Sequence, residues 1–341
     1  MININANRKT DLIKLNKPVY IISSAAVGGG KEKEGPLGEY FDITDRDVKF
    51  GTKTFEAGES EMQRVALNTA LKKAKTHHKE LEAILAGDLL NQCVSSTYGL
   101  IEFGAPFIGL FGACSTMAEC LALGSLLIDG GHFRKVGAVT SSHFCAAERQ
   151  FRFPLEYGGQ RAPTAQWTVT GSGAVILGGA DSSGNSPKIT EVMFGRMIDK
   201  GITDIQNMGA AMAPAAVDTI LKYFRETDAN PADFDIIATG DLGIEGKRIT
   251  ENLLLSEGCD IREKYNDCGL MIYDCEKQDA HAGGSGCGCS ASVLCGYFMR
   301  KFMLGEYKNI LLVCTGALMS PGSVMQGNSI PGIAHLVRIE K

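Results

Sequence analysis

The chain is 341 residues long, which suits one large domain or two fused halves. Its 44% hydrophobic and 21% charged residues are ordinary for a globular protein and exclude disorder, collagen and coiled coil. Lys and Arg number 34 against 39 Asp and Glu, a net charge of -5, so no global attraction for nucleic acid or anionic lipid is expected and only a local patch would bind either.

In chain order, the opening MININANRKTDLIKLNK lacks an uninterrupted apolar core and is not read as a signal peptide. Val19-Tyr20-Ile21-Ile22 reads as a short buried strand. Gly28-Gly29-Gly30-Lys31 is not a phosphate loop, because Glu32 stands where Ser or Thr is required. Glu61 to Lys75 predicts a helix, with Met62, Val65, Ala66, Ala70 and Leu71 at helical spacing. The Lys and His residues between Lys72 and Lys79 read as a solvated face at its end, or as a contact to anionic lipid or a membrane partner. Ile84 to Ala86 is a strand entering the Gly87-Asp88 turn. Ser115 to Ile128 predicts a helix apolar nearly all round, hence buried, and stopped by Gly130-Gly131. That stretch is too short to span a bilayer. Val136 to Thr140 is the next strand, and the turn-rich stretch from Gly178 to Pro187 divides the chain into halves 1–180 and 187–341. The second half gives a helix over Ala215–Phe224, a strand over Asp235–Thr239, a helix over Ser290–Phe302 and a strand over Asn309–Thr315. Alternating strands and helices predict an α/β fold with a mixed or parallel sheet covered by helices.

The chain is written twice. Leu81 to Leu89 lies over Phe234 to Leu242 without gaps, sharing Gly-Asp-Leu. In a second ungapped register Cys114-Ser115 lies over Cys289-Ser290, Cys120 over Cys295, Gly130 over Gly305 and Thr140 over Thr315. The 11 Cys are odd in number and sit mostly in apolar or Gly-rich stretches, which predicts a reduced, intracellular protein. Cys287-Gly288-Cys289, with Cys268, Cys275 or His281, lacks paired zinc spacing, and neither metal nor cofactor is expected. Cys114 is the sharpest feature, since a thiol opening a helix faces unpaired N–H groups and the positive dipole end, which favour thiolate and a covalent nucleophile. The plain alternative is a small buried Cys acting as a hydrophobe.

A duplicated α/β chain with Cys at the start of a buried central helix resembles the thiolase superfamily, which includes the ketoacyl-synthase condensing enzymes. Val169 to Leu177 and Ala282-Gly283-Gly284-Ser285-Gly286 resemble its end-of-first-half strand and its second-half Gly-rich turn. Longer blocks resemble one member, the stage V sporulation protein AD family of spore-forming bacteria. They include Lys31 to Gly38, Ala86 to Gln92, Gly109 to Thr116, Thr140 to His143, Ala147 to Arg152 and Glu156 to Gln160. Gly209 to Asp218, Asp267 to Leu270 and Ile330 to His335 complete them. The resemblance implies a thiolase-like fold of two duplicated halves in αβαβα layers, and binding of dipicolinic acid (pyridine-2,6-dicarboxylic acid) for uptake into the developing spore. It also implies membrane-embedded partners of the same system, peripheral association with the spore inner membrane and a homodimer.

The resemblance also carries a departure. In the superfamily the Cys is served by a His and by a second His or Asn from two second-half loops, which fall here at Thr239 to Gly243 and Gly283 to Gly286. Neither loop holds a His or an Asn. His281 or His335 substitutes only if the fold brings it to Cys114. The expectation is a site retired from catalysis and kept as a binding pocket. A planar dianion calls for guanidinium or N–H donors and an aromatic wall. Arg149, Arg152 and Arg161, interleaved with Phe151, Phe153 and Tyr157, are the candidate clamp, and the helix start at Cys114-Ser115 is a second anion site. The same Arg residues would also serve salt bridges with Glu148 and Glu156, or a dimer contact. His143 is either pocket wall or a satisfied loop histidine, and His335 is a further candidate. Asp88 and Asp241 are equivalent by the repeat and read as turn-structural. Two rivals stay open: an active Cys114 acyltransferase or condensing enzyme, and a structural plug or scaffold on the membrane partner.

Overall fold

The structure is a computed structural model that describes residues 10–151, 161–181 and 184–341. Its strands are β1 (Leu12–Gly29), β2 (Ile43–Asp45), β3 (Ala83–Gly87), β4 (Phe107–Gly109), β5 (Lys135–Ser142), β6 (Trp167–Thr168) and β7 (Gly171–Gly178). The second half adds β8 (Lys188–Met193), β9 (Ile236–Thr239), β10 (Tyr265–Asp267), β11 (Gly284–Ser285), β12 (Asn309–Ala317) and β13 (Gly332–Glu340). Ten of these form one row in the order β10-β9-β12-β13-β8-β1-β7-β5-β3-β4, while β2 pairs with β1 and β11 pairs with β6.

From the middle outward the row repeats itself, as β1, β7, β5, β3, β4 on one side and β8, β13, β12, β9, β10 on the other. Strand directions match too: β3 is parallel to β4 and β5, as β9 is to β10 and β12. β7 and β13 are each antiparallel to both neighbours. The duplication read in the sequence is therefore present as topology. β1 joins the halves, pairing with β8 through Leu12–Tyr20 and with β7 through Tyr20–Gly28. It far exceeds the expected Val19–Ile22 run because exposed Lys14, Asn16 and Lys17 interrupt the apolar pattern without ending the strand.

Alternation of side chains along each strand builds the layers. Leu85, Val136, Ala138, Val175 and Leu177 point inward from one half, and Ala238, Ile310, Leu312 and Val337 from the other. Between them lie Met117, Cys120 and Leu121 of the helix Thr116–Asp129 and Leu294, Phe298 and Phe302 of the 287–304 helix. The opposite faces carry Ile84, Val139 and Ile176 against Met62, Leu67 and Leu71 of the helix Phe55–Lys73, and Ile237, Leu311 and Val313 against Met212, Ile220 and Tyr223 of the helix Met208–Glu226. The order helix, sheet, helices, sheet, helix is the expected αβαβα arrangement. Strands covered on both faces read as continuous apolar runs.

Helix limits differ from the sequence reading for local reasons. Phe55–Lys73 starts before Glu61 because Thr54 caps it, its side chain accepting from Ala57 N at 3.2 Å. Met208–Glu226 begins before the expected Ala215 and runs through Pro214, with Asn207 as its cap. The 287–304 helix contains a π turn over Val293–Phe298. Phe144–Phe151, for which no element was expected, is a helix.

Candidate functional site

Cys114 sits in a tight turn, Ala113–Ser115, which leads from β4 into the buried helix Thr116–Asp129. Ala113 adopts a left-handed φ of 51°. Ser115 Oγ donates to Gly112 O at 2.6 Å and Thr116 Oγ1 donates to Ala113 O at 2.7 Å, so both hydroxyls hold the turn. A Cβ on Gly316 of β12 would lie 2.2 Å from Gly112 O, so only glycine lets β12 press against this turn. Cys114 is left 5% exposed.

The two loops that the repeat and the resemblance mark out do meet Cys114. Ser285 Oγ lies 4.0 Å from Cys114 Sγ. Ser285 Oγ also donates to Asp241 Oδ2 at 3.1 Å, as does Gly286 N at 2.9 Å, while Thr315 Oγ1 donates to Asp241 Oδ1 at 2.8 Å. Gln166 ties both loops together, its Nε2 donating to Asp241 O at 2.6 Å and Gly284 O at 2.9 Å. Asp267 braces the first loop from beneath by accepting from Leu242 N at 2.8 Å and Gly243 N at 3.0 Å. Burial pushes its carboxyl up to about 7.

This arrangement reverses the expected electrostatics of the thiol. Burial, then the negative charge of Asp241, raises the Cys114 thiol well above its ordinary range, and burial likewise raises the Asp241 carboxyl. A helix N-terminus contributes about 0.3–1 kcal/mol toward the thiolate. Taking an ion out of water costs several kcal/mol, and a neighbouring carboxylate adds to it. The thiol is therefore held neutral rather than activated.

A cavity of about 50 Å³ opens at Cys114. Ser285, Thr168 and Glu148 give it polar groups, and Phe111, Phe151 and Met208 are among its apolar walls. Glu148 and Phe151 come from the Phe144–Phe151 helix, which does cover the Cys turn.

Of the residues singled out from sequence, Cys114 lines this cavity, and Ser115 stands beside it as a turn anchor. His143 lies outside the lining, buried, with Nε2 at 2.6 Å from Val48 O and its ring against Phe55. Arg149 pairs with Glu56 and Arg161 with Asp279, the latter guanidinium 4.6 Å over the Trp167 ring. His335 is on β13, accepting from Gly195 N at 3.2 Å, and burial pushes it down to about 4. His281 bonds Asp279 and Ala162 O. None of the six histidines of the chain lines the cavity. Arg152 and Tyr157, with Phe153 and Glu156, lie outside the described residues. Sequence reasoning passed over Asp241 and Ser285. It had found both loops but searched them only for His or Asn, and repeat equivalence with Asp88 argued for a turn role.

Among the described residues no three His, Cys, Asp or Glu side chains converge as a metal site. Cys287 Sγ donates to Ser141 O and Cys289 Sγ to Gly240 O, so these thiols diverge. No helix of the described residues is long and apolar enough to cross a membrane.

Known proteins share both the sequence and the fold. A family model for stage V sporulation protein AD matches residues 9–340. Stage V sporulation protein AD of Bacillus subtilis (strain 168) is 43% identical over 324 residues, covering 95% of each chain. Among solved structures, Xanthomonas campestris OleA aligns with a TM-score of 0.61 at 13% identity, covering 96% of this chain and all of that one. 3-Oxoacyl-[acyl-carrier-protein] synthase III from Aquifex aeolicus VF5 aligns at 0.55 and 14% identity, covering 94% and 99%. The structural likeness establishes the thiolase-like fold, and the sequence kinship supports a role in sporulation.

Proposed function

We propose, from the premise that this chain belongs to the stage V sporulation protein AD family, that it is a non-catalytic protein that binds dipicolinic acid and supports its uptake into the developing spore. Membrane-embedded proteins of the same system carry the ligand across the bilayer, and the chain works as a homodimer associated with the spore inner membrane. The observation that carries the non-catalytic part is the company of Cys114. Its partners are a hydroxyl and a buried carboxyl whose negative charge disfavours thiolate, and no imidazole lines the cavity to draw off the thiol proton as acyl chemistry requires. A neutral thiol beside a carboxyl supports binding without turnover.

Cationic side chains hold the carboxylates of the ligand in this reading, with Arg152 the first candidate. Calorimetric titration of dipicolinic acid into the purified chain tests this. Saturable binding is expected, retained in Cys114→Ala and lost in Arg152→Ala. Absence of heat and of thermal shift at millimolar ligand would sink the reading.

One observation favours the scaffold reading instead. The cavity of about 50 Å³ is far below the roughly 300–1,000 Å³ usual for small-molecule sites. A scaffold predicts no dipicolinate affinity at all, so the same titration separates the two.

A further inference from the structure

β1 has an unfinished edge. On one side it pairs with β7 from Tyr20 to Gly28. On the other side β8 leaves it at Tyr20, and β2 joins it only at Val27. The bonds at either end of this gap show which backbone groups face it. Ile21 N donates to Pro187 O at 2.8 Å. Ala26 is held by Asp42 at both backbone groups, its N donating to Oδ2 at 2.9 Å and its O accepting from Asp42 N at 2.9 Å. Alternation along an antiparallel strand turns the N–H and C=O of Ser24 to the same side as those of Ala26. Ser24 and Val175 of β7 are then a pair without mutual hydrogen bonds. Neither backbone group of Ser24 has a partner among the described residues. Ser24 is buried, and buried backbone groups without partners are rare in native proteins.

The gap is the floor of a groove of about 830 Å³, which shares no lining residue with the Cys114 cavity. Ser23 Oγ donates to Ala70 O at 2.7 Å and Ser24 Oγ to Cys295 O at 2.8 Å. The strand is thereby fixed between the Phe55–Lys73 and 287–304 helices. Asn185 to Pro187 line the groove beside β8, and Glu39 to Asp42 line it beside β2. A Cβ on Gly296 would lie 2.7 Å from Tyr40 O, so the 287–304 helix presses on that second end. Met299, Met303 and Leu304 of the same helix supply an apolar wall. Met303 is 59% and Leu304 57% exposed, so the described residues leave that wall uncovered.

We infer that this groove takes an extended peptide segment of a partner protein, which adds to β1 as a strand between β8 and β2. An open strand edge offers main-chain hydrogen bonds, and the walls beside it read alternate side chains. In an antiparallel segment one residue exchanges both backbone bonds with Ser24. The gap from Ile21 to Ala26 spans about 17 Å at roughly 3.3 Å per residue, room for about five residues. Side chains facing the helix wall are expected to be apolar, since flexible methionines fit varied apolar shapes. A lipid tail would cover that wall but leave the Ser24 groups unbonded. This site is independent of the reading of Cys114.

The test selects a phage-displayed library of short random peptides against the full chain. Enriched sequences should carry apolar residues at alternate positions. Synthetic copies should bind the wild type saturably in calorimetry. Binding should weaken at least about tenfold, or 1.4 kcal/mol, in Met303→Glu, an exposed position where the fold tolerates the change. N-methylation of the central peptide amides should abolish binding by removing the main-chain donors. The surface variant Glu257→Gln should leave it unchanged. Absence of enrichment, or enriched peptides indifferent to either Met303→Glu or N-methylation, would overturn the inference. So would sedimentation showing a wild-type dimer and a Met303→Glu monomer, which would make the occupant a second copy of this chain. Binding to phosphatidylglycerol vesicles that is lost in Met303→Glu, with no peptide bound, would overturn it in favour of a lipid surface.

Discussion

The turns Gly87-Asp88-Leu89 and Gly240-Asp241-Leu242 occupy equivalent places, each closing an equivalent strand, β3 or β9. Both aspartates are fully buried. Asp88 looks inward to its own half, holding Leu90 N and the start of the helix Val94–Leu100 through Ser96. Asp241 reaches Ser285 and Gly286 of the cavity rim and Thr315 of β12. The paired cysteines differ in the same way. Cys289 is sealed at 0% exposure with Sγ on Gly240 O, while its mate Cys114 borders the cavity. Duplication copied the backbone, and chemistry entered through what each copy of the turn was given to hold. Only the second copy of the Asp faces the first copy of the Cys.

Breaking each carboxylate should show that contrast at its largest. Asp241→Ala strands Gly286 N and the Thr315 and Ser285 hydroxyls, and is expected to cost about 3 kcal/mol in urea unfolding. Asp88→Ala strands two N–H groups and a hydroxyl and should cost about 2 kcal/mol. Next is Gly316→Ala, whose added Cβ meets Gly112 O at 2.2 Å. It should cost about 2 kcal/mol and loosen the Cys114 turn. Ser141 is the repeat equivalent of Gly316 in the register that aligns Thr140 with Thr315, but it pairs with Ser172 of β7, so Ser141→Ala should leave the Cys114 turn intact. Removing only charge sharpens the comparison. Asp241→Asn should speed alkylation of Cys114 roughly tenfold at fixed pH, one pKa unit of effect, while Asp88→Asn leaves it unchanged. Peptide mapping after iodoacetamide labelling reads both.

A separate contrast lies in pH. His335 is depressed from 6.5 to about 4, so its contribution is present above pH 6.5 and lost as pH falls toward 4. Asp267 is raised from 3.8 to about 7, so its contribution is present below pH 3.8 and lost as pH rises through 7. Thermal melts should therefore show His335→Gln flattening the acid side and Asp267→Asn flattening the neutral side.

Much of the fold could be read from the chain. Repeated Gly-Asp-Leu and Cys-Ser blocks gave the two halves, and apolar runs such as Ile310–Cys314 gave strands buried on both faces. β1 was cut short because Lys14, Asn16 and Lys17 sit on a strand whose apolar pattern lapses while its pairing continues. The site was only half legible. Cys114 and both facing loops were found, yet a search for imidazole looked past Asp241 and Ser285, whose part depends on contacts across the sheet that spacing does not encode. Arg149 and Arg161 were grouped by closeness in sequence. In space their partners are Glu56 and Asp279, from different elements.

The proposed function rests first on Cys114 being unreactive toward acyl donors. Intact-mass and peptide-mass spectrometry after incubating the chain with acetyl-coenzyme A at pH 7.5 tests it most directly. The account predicts an unmodified Cys114 after hours. An acetyl group on the Cys114 peptide, absent in Cys114→Ala, would contradict it and restore the acyltransferase reading.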